Sequence, residues 1–335
     1  MYSSTRHYSP PNKTKAGYVK PVPTSTQVNM ALKKIEIDDK IKSLIGEVSS
    51  DNLRSTLTGI SSYHTRHSKS KYINEVAEWL KNQFENMGYH DVAFHTYREN
   101  IDGKEYNLKN VICEKEGTNG EYAIIICAHY DSRVKTLRDS TSRSPGANDN
   151  ASGVSAILEI ARILHQQKLS FSLQFVFFSG EEQGLLGSSH YANFLKENDN
   201  ITKYRLINLD MIGYPQLNPG IVIIERDNNT NLHHNRVKTN DADSIKFGNI
   251  MAEMSRYVGL QPSLKSIYDS DYEPFEGEGM VVIGAYDGSG QKKLNPHYHD
   301  TSDIPSLIDW NYLASVTKVV LGTIFKVARM PFHKI

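Results

Sequence analysis

Two glutamates, Glu181 and Glu182, stand side by side in SGEEQGLLGS, directly after the apolar run LQFVFF. A carboxylate at the end of a buried strand needs a cation, a hydrogen-bond network or a chemical task to offset its desolvation. Neighbouring side chains at a strand end point to different sides, so the pair can serve two different partners. Other chemistry-bearing residues occupy equivalent places. IIICAHYDS ends in His129 and Asp131, GANDNASG carries Asp149, LINLDMIG ends in Asp210, and NPHYHDTSD supplies His299. One carboxylate at a strand end is unremarkable, but two histidines and at least four acids converging on one edge make a metal site. Imidazole and carboxylate donors without thiolate suit zinc, with manganese or cobalt as substitutes. The donor count exceeds what one tetrahedral ion needs, which points to two ions about 3.5–4 Å apart. One glutamate is then left over as a base.

These residues converge only if particular elements carry them. INEVAEWLKNQFENMGY has Ile73, Val76, Ala77, Leu80, Phe84 and Met87 at helical spacing, with Gly88 as a C-terminal stop. VAFHTY, NVICEK, YAIIICAHY, SLQFVFFS, YRLINLDMIGY, GIVIIE and GMVVIGAY read as strands. ASGVSAILEIARILHQQ, SSHYANFLKEN, DADSIKFGNIMAEMSRYVG and DWNYLASVTKVVLGTIFKVAR read as helices, the last begun by Asp309 or Asn311. Strand and helix alternate, and several strands are apolar throughout. This is the pattern of an α/β fold: a single domain with a mixed, mainly parallel central sheet flanked by helices on both faces. In such a sheet ligands gather beyond the carboxyl ends of the strands, where these motifs fall.

The 335 residues allow a large core. Thirty-eight basic residues balance thirty-eight acidic ones without a basic stripe, which argues against nucleic acid as the main partner. The apolar runs are too short or too interrupted to span a bilayer, so no membrane partner is expected. Residues 1–30 are polar, contain Pro10, Pro11, Pro21 and Pro23, and lack an apolar signal core. They read as a flexible arm before a catalytic domain over 31–335. Cys113 and Cys127 can pair, but Cys127 lies inside an apolar strand, where a buried free thiol is the commoner state.

The ordered series AHYDS, PGANDNASG, SGEEQGLLGS, NLDMIG, SDYEPF and YHDTSD resembles the zinc aminopeptidases of the M28 family, the bacterial leucyl-type enzymes in particular, over roughly residues 40–328. The resemblance implies a zinc-peptidase, phosphorylase/hydrolase-like fold and two zinc ions per chain. It implies that His129 and Asp210 hold one ion, Glu182 and His299 the other, and that Asp149 bridges both, with a cis peptide after Asp149. Asp131 would orient the His129 imidazole, and Glu181 would take the proton of a metal-bridging water during attack on the peptide carbonyl. The substrate would be a peptide with a free N-terminus. Met211, Tyr286, Leu294 and Tyr298 would form a pocket suited to apolar residues such as Leu. A glutaminyl cyclase-like enzyme and an inactive metal- or peptide-binding homologue are the competing readings. The family is commonly secreted, although this chain shows no signal peptide, and a monomer is expected. Two positions depart from the family pattern: Tyr272 stands where His is frequent, and Asp300 where Thr is frequent.

Overall fold

Strand β3 (Ala123–His129) shows most directly how this sequence makes its sheet. Every residue of AIIICAH is buried, but the two faces belong to different cores. Ile124, Ile126 and Ala128 join the larger apolar cluster, and Ala123, Ile125 and Cys127 join a smaller one on the other side. A continuous apolar run is what a strand covered on both faces requires. Each buried isoleucine contributes about 1.5–3 kcal/mol of transfer free energy.

The computed structural model describes residues 39–119, 122–198, 201–215, 219–228, 233–290 and 294–330. The arm expected over residues 1–30 lies outside them. The described residues all belong to one compact unit. Eight strands make a single sheet: β1 (Val92–Ile101), β2 (Lys104–Lys115), β3, β4 (Ser172–Phe178), β5 (Tyr204–Leu209), β6 (Ile221–Arg226), β7 (Gln261–Ser266) and β8 (Val281–Tyr286). Their spatial order is β1-β2-β4-β3-β5-β8-β6-β7. Pairs β3/β4, β3/β5, β5/β8 and β6/β7 are parallel, whereas β1/β2, β2/β4 and β6/β8 are antiparallel. The sheet is therefore mixed and mainly parallel.

Helices α1 (Asp39–Gly46), α2 (Ser50–Ser61), α3 (Ile73–Asn86), α4 (Ser152–Leu164), α6 (Asp241–Val258) and α8 (Trp310–Val327) cover the larger core. Helices α5 (Leu186–Asn198) and α7 (Glu273–Glu276) cover the smaller one. Helix α3 buries Ile73, Val76, Ala77, Leu80 and Phe84, the stripe its spacing predicts. Helix α8 starts where Asp309 accepts the N–H groups of Asn311 and Tyr312 at 3.1 and 3.0 Å. Strand β3 has β4 on one side and β5 on the other, each reached through a helix. The chain thus changes winding direction beside β3, and a crevice opens at the carboxyl ends of these three strands.

Candidate metal centre

His129 closes β3, Glu181 and Glu182 follow β4, and Asp210 follows β5. Asp149 arrives from the turn Ala147–Ala151 that leads into α4, and its peptide bond to Asn150 is cis. His299 comes from the loop before α8. The His129 Nε2 atom lies 3.2 Å from Asp149 Oδ1 and 3.4 Å from Asp210 Oδ1. The His299 Nε2 atom lies 3.0 Å from Asp149 Oδ2 and 3.1 Å from Glu182 Oε2. Two donor clusters result, His129–Asp149–Asp210 and Asp149–Glu182–His299, each with ligand atoms within 4.8 Å of one another. Asp149 belongs to both and turns a different oxygen to each.

The donor atoms fit divalent cations. His129 Nε2, Glu182 Oε1 and Asp210 Oδ1 are buried without a hydrogen-bond partner, a state that is expensive unless an ion fills the gap. Only nitrogen and oxygen donors are present, which suits zinc. The charges agree. Burial alone would lower both imidazoles, but the carboxylates outweigh it, Glu181 foremost for His129 and Glu182 for His299. His129 is held well above the usual imidazole range and His299 is pushed up to about 9. Acids crowded in this way favour positive charge among them, which a divalent cation would supply. Arg133 answers in part, donating from Nε to Glu182 Oε2 at 2.6 Å.

Asp131 holds this arrangement in register. Its Oδ1 accepts the Glu181 N–H and its Oδ2 the Glu182 N–H, both at 3.2 Å. Its carbonyl oxygen and Oδ1 lie 3.2 and 3.6 Å from His129 Nδ1. A proton on Nδ1 satisfies these acceptors and leaves the Nε2 lone pair facing Asp149 and Asp210. Glu181 lines the same cavity, of about 190 Å³, without joining either cluster. Burial, and then Glu182, Asp210 and Asp271, hold its carboxyl well above the usual range against the pull of His129.

The sequence motifs did not reveal several supports. Asp303 accepts the N–H of Asn148 at 2.9 Å and that of Asp149 at 3.0 Å. Arg66 is fully buried and donates to the carbonyls of Tyr130, Pro145 and Gly146, clamping the same turn from the other side. Ser270 donates to Asp210 Oδ2 at 2.7 Å. Asp303 and Ser270 lie inside recognisable motifs, whereas nothing local in HTRHSKS marks Arg66. Backbone conformation also concentrates here. Five non-glycine residues among those described have left-handed φ, and four of them, Leu185, Met211, Asp269 and His299, line this cavity. Such conformations cost about 1–3 kcal/mol each and persist where the surroundings fix them.

A second cavity of about 280 Å³ adjoins the first and shares Asp210, Met211, Asp269 and Tyr298 with it. Met211, Tyr286 and Tyr298 line this cavity. Leu294 is half-buried and is not among the described residues lining either one.

The sequence profile of peptidase family M28 matches residues 110–324, which include every residue of the two donor clusters. The chain belongs to that family. A probable zinc metalloprotease of Pyrenophora teres f. teres is 32% identical over 193 residues, covering 52% of this chain and 39% of that protein. The chain thus spans well under half the length of that relative. Leucine aminopeptidase 1 of Trichophyton equinum is 27% identical over 303 residues, covering 87% of this chain and 77% of that protein. Among solved structures, the LapA aminopeptidase of Legionella pneumophila superposes with a TM-score of 0.71 at 23% identity, covering 88% of this chain and 76% of that one. At that identity the likeness speaks to the fold. Among the described residues of this M28 chain, no helix is long and apolar enough to cross a membrane.

Proposed function

We propose that this M28 protein is a two-zinc aminopeptidase that hydrolyses the N-terminal peptide bond of peptides and works as a monomer. The carrying observation is the divided Asp149 carboxylate, with Oδ1 toward His129 and Oδ2 toward His299. His129 and Asp210 would hold one ion, Glu182 and His299 the other, and Asp149 would serve both. Two bound cations would polarise the scissile carbonyl and acidify the attacking water. Glu181 takes the proton of that water and returns it to the leaving amine, for which a carboxyl with raised proton affinity is suited. Asp131 keeps Glu181 beside the reacting atoms by holding its backbone N–H.

A free N-terminus suits this site because its cavity is acidic on several sides. Glu181, Asp210 and Asp269 line it together, and an α-ammonium group complements them. The adjoining cavity takes the N-terminal side chain. Met211, Ile223 and the rings of Tyr286 and Tyr298 give it an apolar wall for an aliphatic stem, as for Leu or Met. The same donor set on this fold also suits a glutaminyl cyclase, which would release ammonia from Gln-initiated peptides.

Metal analysis paired with turnover tests these roles. Glu181→Gln is expected to keep two zinc ions per chain and lose about 10²–10⁴-fold in kcat. Asp149→Asn is expected to lose metal as well as turnover. Retention of most activity by Glu181→Gln, or of both ions by Asp149→Asn, would overturn the assignment.

A further inference from the structure

The cavity beside the metal centre contains a buried acid. Glu225 lies on β6, is only 8% exposed, and lines this 280 Å³ space together with Met211, Ile223 and Tyr286. Its position follows from register. Glu225 pairs with Gly284 on β8, and Asn208 on β5 pairs with the same Gly284, so the three form a row across the sheet. Asn208 is two residues before Asp210. Two strand spacings place Glu225 about 10 Å from Asn208. Gly284 keeps the row open, because a Cβ there would meet Glu225 Oε2 at 2.9 Å. A glycine inside a strand marks such close approach.

Among the described residues no cation pairs with Glu225. Among the described residues its carboxylate has one hydrogen bond, from the Tyr272 hydroxyl, 2.9 Å from Oε2. Tyr272 also receives the Tyr268 N–H at 2.7 Å and so is held rigidly. This is the position where the family pattern frequently carries histidine, and the phenol here braces a carboxylate inside the pocket. Lys265, the β7 partner of Glu225, is exposed at the rim and forms no ion pair with it. Burial pushes the Glu225 carboxyl up to about 8 against the Tyr272 hydrogen bond, as expected of an acid without a counter-charge.

We infer that Glu225 makes the side-chain pocket selective for a long cationic residue, Lys or Arg, at the peptide N-terminus. The inference rests on the aminopeptidase reading above and refines the apolar preference expected from Met211, Tyr286 and Tyr298. Those walls pack the aliphatic stem, and Glu225 receives the charged head. Lys and Arg both combine an apolar stem with a terminal cation, whereas Leu leaves the buried acid unpaired.

Two readouts separate this inference from the reading it rests on. With zinc-loaded wild-type protein, kcat/KM for Lys- and Arg-p-nitroanilide is expected to exceed that for the norleucine and Leu compounds about tenfold or more. Glu225→Gln, which keeps an acceptor for Tyr272, should collapse the Lys-to-norleucine ratio toward one, mainly through KM. Calorimetry of L-lysinamide and L-norleucinamide binding to zinc-loaded Glu181→Gln protein should show the same preference, and its loss when Glu225→Gln is added. If Leu is cleaved best and Glu225→Gln leaves the ratio unchanged, Glu225 only braces Tyr272 and the inference falls while the aminopeptidase stands. If nothing is cleaved but lysinamide binding depends on Glu225, the pocket stands and the aminopeptidase reading falls. Equal binding of the two amides overturns the inference in either case.

Discussion

Asp131 gives no atom to either donor cluster, yet both glutamates hang from it by their backbone N–H groups. Fixing the proposed base and the proposed ligand through one carboxylate would couple them. The same economy appears at the turn before α4. Asp303 takes up its N–H groups, and Arg66 takes up the carbonyls of Pro145 and Gly146. Burial lowers the Arg66 guanidinium to about 10, while Asp303, Asp131, Asp149 and Glu182 hold its charge in place. Removing that cation takes the Arg66 donor from the carbonyls of Tyr130, Pro145 and Gly146, of which Gly146 keeps only the Ala151 N–H, and leaves several acids without a counter-charge. Arg66→Leu is therefore expected to cost about 3–5 kcal/mol, as for one member of a broken buried pair, in urea denaturation. An exposed-arginine control such as Arg138→Leu, whose side chain is 81% exposed, should stay within about 0.5 kcal/mol of wild type.

At the level of elements, the central strands were readable because burial on both faces leaves an unbroken apolar run. AIIICAH and SLQFVFF became strands within a residue of the expected limits, whereas YRLINLDMIGY is a strand only over YRLINL, ending before Asp210. The edge strand β7 escaped notice for the opposite reason. QPSLKS has exposed and half-buried residues only, and Pro262 within it suits an edge that needs no full ladder. Helices α1 and α2 also went unread. The residues of the two donor clusters were legible because each sits at a strand end or in a short motif. Their supports were not, since Arg66 and Glu225 reach the site through tertiary contacts that no local pattern encodes. Gly153 shows how closely these elements fit. A Cβ there would meet both Asn150 Oδ1 and the Leu209 carbonyl at 2.6 Å. Asn150 Oδ1 accepts the Met211 N–H and its amide donates to that same carbonyl. Gly153→Ala is expected to push α4 away from the β5 end, lowering the thermal midpoint and zinc affinity together. Unchanged zinc affinity in a chelator competition would show that the packing does not set the metal geometry.

The molecule as a whole places its uncompensated acids at the carboxyl-end face of the sheet and along its β6 side. Asp227, just past β6, is fully buried with neither carboxylate oxygen hydrogen-bonded. Burial first, and then Glu276 and Asp241, raise it to about 8. The sign follows from proton counts. Between about pH 4 and 8 the folded chain keeps a proton that the unfolded chain has released, so stability falls as pH rises through that window. Asp227→Asn should raise the thermal midpoint at about pH 9 and leave it nearly unchanged at about pH 4. An equal shift at both values would refute this linkage. The strongest test of the whole account is what the zinc-loaded protein does to a mixed peptide panel, half of it N-acetylated, followed by mass spectrometry. The account predicts stepwise loss of residues from free N-termini and none from acetylated ones. Cleavage of acetylated peptides at the same rate, or loss of ammonia from Gln-initiated peptides alone, would contradict it.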